Sequence, residues 1–427
     1  MKHLFTMKHL FTSLLLLCCS IANAQDFEVD GIYYNITDAT NKTVEVSRWR
    51  ESSTLPSNKY TGSITIPSSV TYNDVNYSVT GIGIVAFLDC SELTNIKIPS
   101  SVTSIGDVAF YGCTRLTNIE IPNSVTNIGG GAFHNTAWYN NQPDGVVYAG
   151  KVLYEYKGTI PPNTTVIIKE GTLGIAGKAF WGELTNIEIP NSVTNIGRGA
   201  FNNTTWYNNQ PDGVVYAGKV LYEYKGTMPP NTTVIIKEGT LCIEKDAFQD
   251  YKELTNIEIP NSVTCIGEWA FKGCSGLTSI TIGNSVTSIG EQAFEGCSGL
   301  TSITIGNSVT SIGESAFKGC TGLTNIEIPN SVTSIGEWAF YDCSGLTSIT
   351  IGNSVTSIGE YAFYSENIKE VKVTAIKAIY VTEDVFSTNI YDKAHLYVPN
   401  GCKAEYIETS SWGCFKNVKE FNDINAE

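Results

Sequence analysis

Phenylalanine returns every 23 residues through the second half of this chain: Phe271, Phe294, Phe317, Phe340 and Phe363 keep one interval, as do Leu277, Leu300, Leu323 and Leu346. Earlier anchors stand at Phe87, Phe110 and Phe133, and Phe386 lies one further period beyond Phe363. Two longer intervals, Phe133 to Phe180 and Phe201 to Phe248, each span 47 residues. They hold near-identical inserts, TAWYNNQPDGVVYAGKVLYEYKG from Thr136 and TTWYNNQPDGVVYAGKVLYEYKG from Thr204, at an offset of 68. A three-coil cassette has been duplicated. So short a fixed period dictates a stack of similar coils, because propeller blades need ~40 residues and helical-pair repeats ~33.

One unit reads LTSITIGNSVTSIGEQAFEGCSG, residues 277–299. Leu277, Ile280 and Ile282 point one way and Ser279 and Thr281 the other, the alternation of a half-buried strand. Gly283-Asn284, or Pro329-Asn330 in another copy, is turn chemistry. Residues 285–290 read as a second extended run with Val286 and Ile289 inward, and Ala293-Phe294 leads into no more than a helical turn. About eight of the 23 side chains face inward, too few to close a core alone, so stacked coils must share one. The expected fold is a mainly β repeat solenoid, a leucine-rich-repeat-like stack of about 14 coils of ~23 residues. Residues 63–386 form the solenoid, between an N-terminal cap at 25–62 and a C-terminal cap at 387–427.

Residues 1–24 read as a signal peptide. Lys2 and Lys8 supply positive charge, residues 14–21 a short apolar run, and Ala22-Asn23-Ala24 the small residues of a cleavage site. No later apolar run approaches the ~20 residues needed to span a membrane. The expected destination is extracellular or cell-surface. The chain carries 27 Lys and Arg against 42 Asp and Glu, a net charge of −15. Such a balance, without a basic stretch, argues against nucleic acid and anionic membranes as partners.

The pattern L-x-x-I-x-I-P-x-S-V-T-x-I-G-x-x-A-F-x-G-C resembles the BspA-type leucine-rich repeat of bacterial surface proteins. The WYNNQPDG…GKVLY-x-YKG insert and the opening DFEVDGIYYNITD are similar to that group as well. The resemblance implies an exported protein that adheres to host matrix proteins or to neighbouring cells, and it brings no shared catalytic residue.

Candidate sites follow from the columns. Cys90, Cys113, Cys274, Cys297, Cys320 and Cys343 each stand three residues after an anchor Phe. Spacing of this kind never provides the close pairs of a zinc site, and buried thiols acting as small hydrophobes are the expectation. Cys242 and Cys265 share another column in adjacent coils, while Cys402 and Cys414 lie in the C-terminal cap; whether either pair is bridged stays open. Glu268, Glu291, Glu314, Glu337 and Glu360 stack in consecutive coils, a solvated face rather than a cation site. No metal and no cofactor are expected.

Trp138 and Tyr139, with their copies Trp206 and Tyr207, are alternative glycan contacts, against the simpler reading that these aromatics pack the variant coil around a hairpin turning at Ala149-Gly150. Catalysis finds no footing: there is no G-x-S-x-G, P-loop or H-E-x-x-H, and the two histidines beyond the leader, His134 and His395, lie many coils apart. The candidate binding surface is the outward side of the L-x-x-I-x-I strands. It comprises Ser279, Ser302, Asn325 and Ser348 in one column and Thr281, Thr304, Glu327 and Thr350 in the next. Small hydroxyls and amides lose little entropy when fixed, which suits weak contacts summed over a long interface.

Overall fold

The computed structural model describes residues 26–39, 41–48 and 60–421. The expected signal peptide at 1–24 lies outside the described residues, as does part of the N-terminal cap. The chain divides into two compact units, residues 1–210 and 211–427. Both are built from the same β-solenoid turns, about 15 in all.

In the first unit, three antiparallel strands, Phe27–Val29, Ile32–Asp38 and Thr43–Ser47, form the cap. Thr43–Ser47 then pairs in parallel with Val75–Ile82, which passes the ladder on to Ser104–Ile105 and Asn127–Ile128. A second parallel ladder joins Gly62–Thr65, Leu93–Lys97 and Asn118–Glu120. After the long strand Val75–Ile82, each of the next two turns contributes one strand of three to five residues and one of two. The first inserted segment forms a hairpin, Gly145–Ala149 against Val152–Lys157, whose second strand starts the next parallel ladder at Gly174–Ile175. Ala149 pairs with Val152, so the turn residues are Gly150 and Lys151, one later than the sequence suggests. Gly150 sits in left-handed backbone at φ 61°, which fixes the turn there.

The second unit opens with the duplicate hairpin, Gly213–Ala217 and Val220–Lys225. One ladder then runs through Cys242–Ile243, Cys265–Ile266, Ser288–Ile289, Ser311–Ile312, Ser334–Ile335 and Ser357–Ile358. The longer strands fall into two sheets. Thr232–Ile235, Leu254–Glu258, Ser279–Thr281 and Ser302–Thr304 make one; Asn325–Ile328, Ser348–Ile351, Glu370–Val373, His395–Val398 and Asn417–Glu420 make the other. The last two strands carry the ladder through the segment read as a non-repetitive cap.

Eight side chains of the unit at 277–299 point inward, as their pattern requires: Leu277, Ile280, Ile282, Val286, Ile289, Ala293, Phe294 and Cys297 are each at most 3 % exposed. The phenylalanines stack face to face. From Phe248 to Phe363 successive ring centroids lie 5.1–5.3 Å apart with interplanar angles of 2–12°. In the first unit Tyr60 closes the stack on Phe87 at 4.7 Å, while its hydroxyl accepts from Tyr33 N and donates to Ser47 O. In the second, Trp412 and Phe415 close it on Phe386.

Between Ile289 and Leu300 the chain makes successive i→i+3 turns rather than a helix, with Glu295 N donating to Gln292 O and Cys297 N to Phe294 O. Left-handed residues at Gln292 (φ 52°) and Gly296 (φ 72°) stop helical propagation. The second extended run is shorter than its sequence suggests, only Ser288–Ile289. At Gly290, just beyond it, a Cβ would meet Gly267 C at 2.6 Å, so only glycine lets the turns close up on one another. Threonine hydroxyls clamp neighbouring turns: Oγ1 of Thr287, Thr310, Thr333 and Thr356 each donate to the carbonyl of the threonine one turn earlier at 3.0–3.3 Å.

The cysteine column is free and buried. Its thiols do more than fill space: Cys274, Cys297, Cys320 and Cys343 Sγ donate to the carbonyls of Phe248, Phe271, Phe294 and Phe317 at 3.0–3.2 Å. Burial pushes the Cys297 and Cys343 thiols up to about 12, so they stay protonated donors. Cys242 and Cys265 are disulfide-bonded across registered neighbouring strands, with Cα atoms 4.9 Å apart, whereas Cys402 and Cys414 are free.

Candidate functional site

The outward face of the longer strands in the second unit is laid down by pairing register. Ser279 sits beside Ser302 and Thr281 beside Thr304. Asn325 sits beside Ser348 and Glu327 beside Thr350, and these lead on to Glu370 and Lys372. Ser279, Thr281, Ser302, Thr304, Asn325 and Glu327 are exposed, and Ser348 and Thr350 are partly so. Between them Ile280, Ile326 and Ile349 are at most 3 % exposed. The alternation that fixes the core therefore turns every second side chain to solvent. The eight candidates fall four to each of the two sheets, which meet between Ser302–Thr304 and Asn325–Ile328. This face can form hydrogen bonds through small groups at the inter-turn spacing.

Two residues that sequence reasoning passed over stand on the outward side of longer strands, one in each unit. Ile235 in the second unit is 69 % exposed and pairs with Glu258; its counterpart Ile167 in the first unit is 66 % exposed and pairs with Glu188. Both come from the VIIKEG run of the duplicated cassette, so the repetition of an isoleucine on the polar side of a strand was the available signal.

The Trp/Tyr inserts are arranged differently. Thr136 caps the single-turn helix Ala137–Asn140, accepting from Tyr139 N, and Thr204 does the same for Thr205–Asn208. These helices press Trp138 edge-on against Phe133 at 5.1 Å and tilt Trp206 onto Phe201 at 4.7 Å. Tyr139 packs on His134 and Tyr154, with Lys157 Nζ 5.3 Å from its ring centre. All four candidate rings are half-buried.

The glutamate column lies on the turns. Glu268 pairs with Lys245, and burial, together with the like charge of Glu268, raises the Glu291 carboxyl above its ordinary range. Among the described residues no three His, Cys, Asp or Glu side chains converge to hold a metal ion. His134 pairs with Glu155 at 2.6 Å in the first unit.

A family model described as the BspA type leucine rich repeat region matches residues 55–143, 154–213, 222–328 and 310–426. The chain belongs to the BspA-type leucine-rich-repeat family. Among solved structures it is similar to a leucine-rich repeat protein from Bacteroides ovatus, at 29% identity over 82% of this chain and 94% of that one, with a TM-score of 0.33. It is also similar to a leucine rich cell surface protein from Faecalibacterium prausnitzii, at 22% identity over 95% of this chain and 98% of that one, with a TM-score of 0.28. The search of curated proteins finds no match. Among the described residues no helix of this BspA-type chain is long and apolar enough to cross a membrane.

Proposed function

We propose that the chain is an exported adhesion or binding protein that holds extracellular proteins, of host matrix or of neighbouring cells, across the outward strand face of its solenoid. The observation that carries this reading is the registered exposed strip of Ser279, Thr281, Ser302 and Thr304, with Ile235 standing out of the same sheet as an apolar anchor. Membership of a family with surface proteins among its structural neighbours supports it. Small polar groups around a protruding aliphatic side chain are the make-up of a protein–protein contact, in which a few apolar anchors carry most of the energy. A net charge of −15 favours basic patches on the partner and makes association weaken with salt.

The second reading is a glycan-binding protein using Trp138, Tyr139, Trp206 and Tyr207. Sugar rings dock on open aromatic faces, and Trp138, Tyr139 and Trp206 spend much of their surface on Phe133, Phe201, His134 and Tyr154. That packing favours the protein partner. The test presents the purified chain to immobilised matrix proteins and to a polysaccharide array in parallel. Salt-sensitive retention on protein, with a blank array, is the expected outcome; retention on glycans alone would replace this reading by the second.

A further inference from the structure

We propose that the turns of the second unit carry an aromatic platform, Trp338, Tyr341, Tyr361 and Tyr364, that docks lysine or arginine side chains of an extended, basic partner polypeptide. The site lies on the turn segment of each coil, apart from the strand face, and it stands or falls independently of that reading.

Backbone turns build it. Tyr341 N donates to Trp338 O and Tyr364 N to Tyr361 O, so each coil holds two aromatics at i and i+3 on one turn. Trp338 N donates to Glu360 O, which sets the next coil directly alongside. Tyr341 and Tyr364 stack at 5.8 Å, and Tyr361 meets Tyr364 edge to face at 5.6 Å. Trp338 is 37 % exposed. The rings are not there for backbone comfort: Trp338 and Tyr361 occupy left-handed backbone at φ 53° and 56°, where two coils of the first unit use Gly131 and Gly199 and others Val85, Val108 and Lys178.

The chain itself shows which chemistry these rings accept. Lys318, one coil earlier, places Nζ 5.3 Å from the Trp338 ring and 5.6 Å from Tyr341. Lys245 does the same over Trp269 at 4.1 Å. One coil beyond Trp338 the position that Lys318 holds is taken by Tyr341, so the Tyr361–Tyr364 pair has no lysine from the preceding turn. Carboxylates stand there instead. Asp384 and Glu360 hold the Tyr361 phenol above its ordinary range, and among the described residues neither carboxylate has an ion-pair partner. An aromatic pair in a negative field, beside a pair already covered by an ammonium, is complementary to a second ammonium or guanidinium.

The test uses the chain from residue 25 onward and a fluorescein-labelled alternating Lys-Gly oligopeptide, read by polarisation at ~0.15 M salt. Tyr361→Gly combined with Tyr364→Ala should weaken binding about tenfold, the worth of two cation–π contacts. Tyr361→Gly alone should melt no lower than the parent, because glycine suits that backbone, and this keeps the loss of binding separate from loss of fold. Glu360→Gln should weaken binding a few-fold and flatten its salt dependence. Peptide affinity unchanged in the aromatic double variant would overturn the proposal. So would a neutral oligosaccharide whose binding depends on the same two tyrosines while the basic peptide is ignored.

Discussion

A variant lacking residues 300–322 folds and melts within a few degrees of the parent, whereas one lacking only residues 300–310 does not fold. The first excision removes one whole coil, with Ser302–Thr304, Ser311–Ile312 and Phe317. It brings Phe294 against Phe340 and Ser279–Thr281 against Asn325–Ile328, pairs that already share one register through the period of 23. Stability in such an array is a sum of coil and nearest-neighbour terms, so one term of each kind is lost and the rest persist. The partial excision takes Leu300, Ile305 and Val309, each at most 7 % exposed, from the core and leaves Ser311–Ile312 and Phe317 without the longer strand of their coil. Three buried aliphatic side chains at ~2–4 kcal/mol each approach the whole stability of an ordinary domain, on the order of 10 kcal/mol. Circular dichroism and thermal melts on both variants decide the matter. Equal loss in the two would mean the coils are not independent repeats.

Phe317→Ala lowers stability by about 3–5 kcal/mol. Phe317 is fully buried, 5.2 Å from Phe294 and 5.1 Å from Phe340, and its truncation opens a gap in a stack that the rigid backbone ladder cannot close. Its own N–H donates to Ala339 O, so the backbone is held open around the lost ring. Glu314→Ala, three residues away at a half-exposed position on the turn, changes stability by no more than about 0.5 kcal/mol. Urea titrations of the two variants measure both. Comparable losses would show that the inward face has been assigned to the wrong columns.

The period of 23 made the core legible: Leu277, Ile280, Ile282, Val286 and Ile289 were placed inward by alternation and spacing, and the stack of phenylalanines follows from one anchor per coil. What the pattern did not carry were features set by how one turn meets the next. The thiol-to-carbonyl bonds of Cys274 and Cys297 depend on a coil-to-coil offset that no single unit encodes, as does the choice of Cys242–Cys265 as the bridged pair. The segment around Phe294 read as a helical turn, and its left-handed residue was missed because Gln292 is not a residue that announces such backbone. The strand segments His395–Val398 and Asn417–Glu420 escaped notice because they keep the register while losing the repeat's letters.

For the candidate surface, alternation placed Ser279, Thr281 and their neighbours in columns, but Ile167 and Ile235 lie in the duplicated cassette, whose strands the regular unit's pattern does not describe. The platform around Tyr361 was hidden for a related reason. Its aromatics come from positions that hold Val85, Gln292 and Ser315 in other coils, so no column of the repeat singles them out.

The most direct test of the account replaces Thr281, Thr304 and Thr350 together by arginine and measures adhesion to immobilised extracellular matrix protein beside a thermal melt. These side chains lie on the outward face, Thr281 and Thr304 exposed and Thr350 partly so, and no buried group is touched. Three long cations reverse the charge and shape of the strip where the partner is to lie. The account predicts a melting temperature near that of the parent and adhesion reduced to background. A folded triple variant that adheres like the parent would contradict it, and would move the search to the Trp138 and Trp206 cassettes.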